Sequence, residues 1–177
     1  MSKMKSIEKY IELIFPIIEY CAKESQKENF EKDHVWYLNR QAFYGFGMFF
    51  TKYYYSEKAK NKFLELHKEY LNECAENNKT PIHLTIDSLD WNTQPLIDKG
   101  RINLIFEHMY TGTMFRNDIQ KLNFDGKLTK EDIKKLVENK YKVCLITKEE
   151  NKSLHKTQRG SDPMAYYAEK KIKIVNI

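Results

Sequence analysis

The sequence predicts an α+β protein, in which a helical, aromatic-rich N-terminal half precedes a small three- to four-stranded sheet with flanking helices. Three observations indicate this class. Apolar residues recur at helical spacing through most of the first 76 residues, short apolar runs appear after residue 80, and hydroxyl residues precede several periodic segments. We therefore expect a helical, aromatic-rich subdomain over 1–78 and an α+β subdomain over 79–177 that carries the functional site.

Three helical segments are expected in the N-terminal half. The first covers residues 6–24, where apolar residues fall at 3.6-residue spacing and Pro16 should kink or split the helix. The second is predicted within residues 33–55, which hold ten aromatic side chains, and its glycines should permit close helix approach or a break. Ser56 has the position of an N-cap for a third helix over 57–76.

The aromatic stretch also admits two functional interpretations. Exposed aromatic side chains stack on nucleic-acid bases, or they anchor a protein partner, for which residues 36–55 would be the docking site. Aromatic residues at helical spacing more often form a buried core, and we expect most of this stretch to do so.

Strands and helices are expected to alternate in the C-terminal half. The predicted strands cover 82–86, 101–107, 141–146 and the final K-I-K-I-V, the last at a sheet edge. The helices are expected to begin near hydroxyl N-caps: Thr111 or Thr113, Thr129 and Thr147. The segments T-K-E-D and T-K-E-E have the spacing of capping boxes, and M-A-Y-Y-A-E-K predicts a further short helix.

Positive charge is concentrated in the C-terminal part of the chain. Residues 1–100 carry 14 Lys and Arg against 15 Asp and Glu, a net charge of −1, whereas residues 101–177 carry 16 against 10, a net charge of +6. Such an excess suits a polyanion, DNA in particular, although an AT-rich genome that favours lysine codons explains it equally well.

The three cysteines are far apart and form no CxxC pair, which argues against a disulfide framework and a cysteine zinc site. The first apolar run is too short for a membrane span or a clean signal peptide. We expect a cytoplasmic protein without a membrane partner.

The segment R-I-N-L-I-F-E-H, residues 101–108, gives the strongest indication of a catalytic or metal-binding site. A predicted strand that ends on a carboxylate and an imidazole, Glu107 and His108, presents two titratable groups at its end. The helix after the following strand carries Asn151 and His155, four residues apart on one face. Together these groups could bind a divalent cation and activate water. Four basic residues near that helix would contact a phosphate backbone: Lys148, Lys152, Lys156 and Arg159.

These residues resemble the HNH, or ββα-metal, endonucleases over residues 101–177. The resemblance implies a Mg²⁺ or Mn²⁺ site with Glu107 and His155 as metal ligands, His108 as the general base and Asn151 as the residue that positions it. The segments I-F-E-H-M-Y and C-L-I-T-K-E-E-N-K-S-L also resemble uncharacterised phage and bacterial proteins. The implied function is metal-dependent cleavage of DNA, in restriction or in conflict between phage and host.

Two alternatives stay open. His108 and Asn151 are 43 residues apart, so two helices would be inserted between the two strands of the family. Glu107 and His108 would otherwise only end a strand, with Asn151 and His155 exposed on a basic face. The alternative function is then a non-enzymatic binding protein, such as a phage-encoded inhibitor that docks on a host protein.

Overall fold

A computed structural model of the chain describes residues 6–27, 32–48, 53–156, 160 and 162–175. Within these residues the helices are α1 (Ile7–Glu24), α2 (Lys32–Gly45), α3 (Glu57–Glu76), α4 (Gln94–Ile97), α5 (Gly112–Leu122), α6 (Lys130–Lys140), α7 (Lys148–Lys152) and α8 (Pro163–Glu169). The strands are β1 (Tyr54–Tyr55), β2 (Leu104–His108) and β3 (Val143–Thr147). Helices therefore dominate around a small sheet, which confirms the expected α+β class.

The central strand of the sheet is β3. It pairs with β1 in parallel and with β2 in antiparallel orientation. Beyond β1, Ile174 of the C-terminal segment forms an isolated antiparallel bridge with Ser56. Because β1 and β3 are parallel and each leads directly into a helix, the N-termini of α3 and α7 lie at the same end of the sheet.

Hydroxyl side chains cap five of the described α-helices, four of them as the sequence predicts. Ser56, Thr111, Thr129 and Thr147 each accept a hydrogen bond from the backbone N–H of the third helical residue. The last two threonines form complete capping boxes with an acidic residue. Such caps satisfy backbone donors that the first helical turn leaves unpaired.

One expectation about secondary structure is wrong, and the structure decides between alternatives left open at two other places. Residues 82–86 form no strand; Thr85 instead caps the short 3₁₀-helix Ile86–Ser88, so burial of alternate residues here does not reflect strand pairing. Pro16 does not split α1, which runs continuously through it. The aromatic segment 33–55 contains the break that its glycines allow, since α2 ends at Gly45 and Tyr54 already belongs to β1.

The chain forms two compact units, each assembled from separate segments. Unit 1 comprises Met1–Thr51, Tyr110–Tyr141 and Lys156–Gln158, and unit 2 comprises Lys52–Met109, Lys142–His155 and Arg159–Ile177. A boundary near residue 78 does not separate these units. The helix α3 packs against β2 and β3, whereas α5 and α6 pack against the two N-terminal helices.

Aromatic rings fill the core of unit 1. The ring of Phe43 lies 5.1 Å from that of Tyr141 and 5.3 Å from that of Phe115. Tyr10 donates a hydrogen bond from its hydroxyl to the carbonyl of Ala42 over 2.8 Å, which joins α1 to α2. The expectation that residues 33–55 supply core aromatics is confirmed for the buried side of α2.

The sheet of unit 2 is covered on both faces. On one face Leu104 and Leu145 pack with apolar residues of α3. On the other face Cys144 and Ile146 pack with Leu154 and with residues of α8. We call these the α3 face and the α8 face. In the described part of the chain, no helix combines the length and apolar character needed to cross a bilayer.

Candidate functional site

The predicted catalytic dipeptide ends β2, and its two side chains point to opposite faces of the sheet. Successive residues of a strand alternate between the faces. Ile105 and Met109 belong to the cluster on the α8 face, whereas Phe106 packs on the α3 face. Glu107 therefore shares the α8 face with Ile105, and His108 shares the α3 face with Phe106.

The helix α7 begins at the other end of the strand pair. Thr147, the last residue of β3, pairs with Leu104, three positions before Glu107 in β2. At the spacing of an extended strand this separation is about 10 Å. Leu154, which follows α7, packs on the α8 face, so the chain after α7 lies on that side of the sheet.

Asn151 and His155 belong to this part of the chain, within and after α7. Asn151 is half-buried in α7, and His155 is exposed beyond the end of the helix. The backbone N–H of His155 donates a hydrogen bond to the hydroxyl of Tyr166 in α8 over 2.8 Å. This segment therefore shares a sheet face with Glu107 and not with His108. The fold thus places His108, the general base that the HNH resemblance implies, on the sheet face opposite the expected metal ligands.

The expected metal site is incomplete in the described part of the chain. No three side chains of His, Cys, Asp or Glu among these residues are grouped as a metal ion would require. Mg²⁺ and Mn²⁺ prefer six ligands, mostly oxygens. Among the described residues, Glu107 and His155 therefore belong to no group of three His, Cys, Asp or Glu side chains.

Burial determines the charge of His108. The side chain is half-buried, and desolvation lowers the pKa of its imidazole to about 4. The imidazole is therefore neutral at pH 7. A neutral imidazole has the protonation state of a general base, but a pKa near 4 makes it a weak one.

The structure describes three of the four basic residues predicted to contact phosphate. Lys148 and Lys152 are exposed one turn apart on α7 in unit 2, with the exposed Glu149 between them. Lys156 is exposed but belongs to unit 1. Arg159 lies outside the described residues.

A buried carboxylate that sequence reasoning treated only as a helix cap joins two helices. The carboxylate of Glu150 accepts hydrogen bonds from the Ser56 hydroxyl over 2.7 Å and from the Thr147 N–H and hydroxyl over 2.9 and 3.1 Å. Only 6 % of Glu150 is exposed. The capping-box spacing predicts the contact with Thr147, whereas nothing in the sequence signals the contact with Ser56.

A second buried acid that sequence reasoning missed shapes the entry into β2. The Asp98 carboxylate accepts hydrogen bonds from the backbone N–H of Leu104 over 2.9 Å and from the backbone N–H of Ile102 over 3.1 Å. It also accepts one from the side-chain amide of Asn103 over 2.9 Å. The amide of Gln94 donates to the Leu104 carbonyl over 2.9 Å. In the sequence, only the position of Asp98 directly before the turn K-G-R could have indicated this role. These hydrogen bonds hold the first residue of β2 and the two residues before it in place.

Apolar side chains are exposed along one side of α1. Leu13 is 64 % exposed, Ile17 38 % and Tyr20 51 %. Other apolar residues of the same helix, including Ile14 and Ile18, are buried in unit 1. The helix thus has an apolar side beyond the one that fills the core. We call the three exposed residues the α1 stripe.

The expected docking segment 36–55 is divided by the fold. Phe43 and Phe46 are buried, whereas Tyr37 and Leu38 are exposed on α2. Trp36 is also exposed, although the guanidinium of Arg116 lies 4.1 Å from the centre of its indole ring. Residues 49–52 of this segment lie outside the described part of the chain. Exposed apolar residues therefore occur on both α1 and α2.

No match to this chain was found among protein-family models, curated proteins or solved structures.

Proposed function

We propose that this protein is a non-enzymatic interaction protein that binds a protein partner through the α1 stripe and the exposed residues of α2. The observation that carries the proposal is the exposure of Leu13, Ile17 and Tyr20 on a helix whose other apolar side is already buried. Single exposed apolar residues are ordinary, but a row of three on one helix side is typical of an interaction surface.

Residues of the neighbouring helix support the same surface. The pairing of α1 with α2 is defined by the hydrogen bond from Tyr10 to Ala42 and by the contact of the Cys21 thiol with the Val35 carbonyl at 3.4 Å. Leu38 lies between these two levels of α2, level with the middle of the stripe. Tyr37, also exposed, is of the residue type enriched among interface residues that contribute most to affinity.

Site-specific photo-crosslinking tests this proposal. A photoreactive amino acid at Ile17, in the cells that produce the protein, is expected to give a discrete adduct. Leu13→Ser should reduce its yield several-fold, because it removes a neighbouring apolar contact. Leu64→Ser is the matched control, since Leu64 is 55 % exposed on α3. An adduct that is absent, or that both serine variants reduce equally, would overturn the proposal.

A metal-dependent DNA nuclease is the second candidate. It is favoured by the common sheet face of Glu107 and the segment that carries Asn151 and His155. Nicking of supercoiled plasmid with Mg²⁺ or Mn²⁺ is the test, with loss expected in Glu107→Gln and His155→Ala. His108→Gln, on the other face, should retain most of the cleavage if only the α8 face is involved. Absence of metal-dependent nicking by the purified protein would reject this candidate.

A further inference from the structure

We infer that the occupant of the α1 stripe is a second copy of this chain, bound through an antiparallel pairing of the two α1 helices. The inference rests on the proposed function and names its partner. It follows from the order of apolar and charged residues along the exposed side of α1, which complements itself when the helix is reversed.

The exposed side of α1 has the spacing of a helix–helix seam. Leu13, Ile17, Tyr20 and Glu24 follow one another at intervals of four, three and four residues. This alternation keeps side chains on one narrow side of a helix and is the spacing by which two helices interdigitate. The buried residues Ile14, Ile18 and Cys21 belong to the neighbouring side, so the seam is available without any repacking of unit 1.

A two-fold axis between Pro16 and Ile17 matches unlike residues across the seam. An antiparallel second helix then places its Tyr20 opposite Leu13 and its Pro16 opposite Ile17. The same axis places Glu24 of the second copy opposite Lys9. Each of these pairs occurs twice, because the interface is isologous.

The charges of α1 favour this register. Lys9 precedes the apolar stripe and Glu24 follows it, so reversal of the second helix brings opposite charges together at both ends. A parallel pairing would instead place like charges side by side, which is unfavourable. Two of the other acids of α1 are engaged within the chain: Glu8 pairs with Lys134 over 2.8 Å and Glu19 with Lys23 over 3.0 Å.

The carboxylate of Glu24, which belongs to the seam, also has an ion-pair partner within its own chain. The Glu24 carboxylate lies 2.6 Å from the Lys27 ammonium at the end of α1. A carboxylate can accept from two ammonium groups, so this pair does not prevent a contact with Lys9 of the second copy. Lys9 and Glu24 are both at least partly exposed to solvent. The charge pairs between them therefore select the register, and the apolar residues supply most of the affinity.

Sedimentation equilibrium of the full chain measures the association directly. The weight-average mass is expected to rise from 21.3 kDa toward twice that value as concentration increases. Leu13→Lys should weaken the dimer by at least about tenfold, since the change occurs twice in the interface. The control Leu64→Lys should leave the dimer unchanged. Circular dichroism of each variant verifies that the fold is retained.

Charge reversal tests the register. Lys9→Glu and Glu24→Lys, each alone, should weaken the dimer by roughly threefold to tenfold, because each places like charges opposite one another. The double variant should restore it, which a purely local effect on α1 would not do.

Cysteine crosslinking gives an independent measure of the same register. Leu13→Cys combined with Tyr20→Cys should form an intermolecular disulfide. Leu13→Cys alone should not, because the two copies of residue 13 are then about 10 Å apart along the helix axis.

The outcomes separate this inference from the proposed function. A chain that stays monomeric at all concentrations, yet gives an adduct with a different protein at Ile17, overturns the second-copy inference and supports the proposed function. A dimer that is insensitive to both charge reversals and to Leu13→Lys also overturns the inference. A monomer without any adduct at Ile17 overturns both.

Discussion

The hydroxyl of Ser56 donates a hydrogen bond of 2.7 Å to the carboxylate of Glu150, across 94 residues of sequence, and this bond joins the N-termini of α3 and α7. Ser56 also accepts the N–H of Ala59 over 3.0 Å as the cap of α3. The positive ends of two helix dipoles therefore meet at one buried carboxylate, which stabilises its negative charge.

Glu150→Gln and Ser56→Ala are each expected to destabilise the fold by about 1–3 kcal/mol. The first removes the charged acceptor, and the second removes both a cap and a donor. Urea unfolding at pH 7 is the measurement. In a double-mutant cycle the two changes should be non-additive, because they share one hydrogen bond. Glu149→Gln, at an exposed neighbour, should have little effect, and additivity of the buried pair would contradict the direct link.

Asp98→Ala should destabilise unit 2 by about 2–4 kcal/mol. The change leaves the buried N–H of Leu104 and its neighbours without an acceptor at the entry to β2. Hydrogen exchange of the Leu104 amide should accelerate together with the loss of stability measured in urea. Asp87→Ala, at an exposed position, is the control; equal effects of the two changes would contradict this role for Asp98.

Gly45→Ala should destabilise unit 1 by about 1–3 kcal/mol. A methyl group at this position would overlap the buried phenol of Tyr10, with a distance of only 1.7 Å to its hydroxyl oxygen. Gly112→Ala, whose methyl group would lie 3.5 Å from the ring of Phe43, is the matched control and should be tolerated. Tyr10→Phe in the Gly45→Ala background should recover part of the loss, because it removes the closest overlapping atom.

His108 should make the fold less stable as the pH falls from about 6.5 to about 4. Burial lowers the pKa of its imidazole to about 4, so within this window the unfolded chain binds a proton that the folded chain does not. The loss attributable to this group is roughly 3 kcal/mol and ends near pH 4. Urea unfolding at a series of pH values measures it. His108→Gln should reduce the pH dependence in this window, whereas the exposed His83→Gln should not.

Asp118 should contribute to acid unfolding at lower pH. Burial alone would raise the pKa of its carboxyl, but hydrogen bonds from Lys140 over 2.9 Å and Tyr110 over 2.7 Å outweigh this effect and lower the pKa. The stabilisation is therefore present above the ordinary aspartate pKa and is lost as the pH falls through the lowered value. Asp118→Asn should flatten the stability curve in that range, and an unchanged slope would contradict this assignment.

Local physics explains which elements were predictable from the sequence. The starts of α3, α6 and α7 were predicted because a hydroxyl cap needs only a partner three residues ahead. The strand β3 was predicted within two residues at each end from its apolar run. The segment 82–86 was predicted incorrectly, because alternating burial also arises in a loop that packs Leu84 and Ile86 against α3.

The candidate site was less predictable from the sequence, because it depends on which elements cover each face of the sheet and not on local spacing. Glu107 and His108 were recognised as the end of a strand, but their opposite orientations matter only once each face of the sheet has its own cover. The exposed α1 stripe lies within the apolar pattern from which the sequence predicted the first helix. Periodicity shows that a helix has an apolar side, but it does not show how much of that side the fold covers.

The sequence by itself determined the helix caps, the periodic helices and the two longer strands, since these depend on residues within a few positions of one another. Only the tertiary structure decided the strand order, the separation of His108 from the segment of Asn151 and His155, the link from Ser56 to Glu150 and the exposure of the α1 stripe. These features depend on contacts between residues far apart in the chain, whose partners local spacing does not specify.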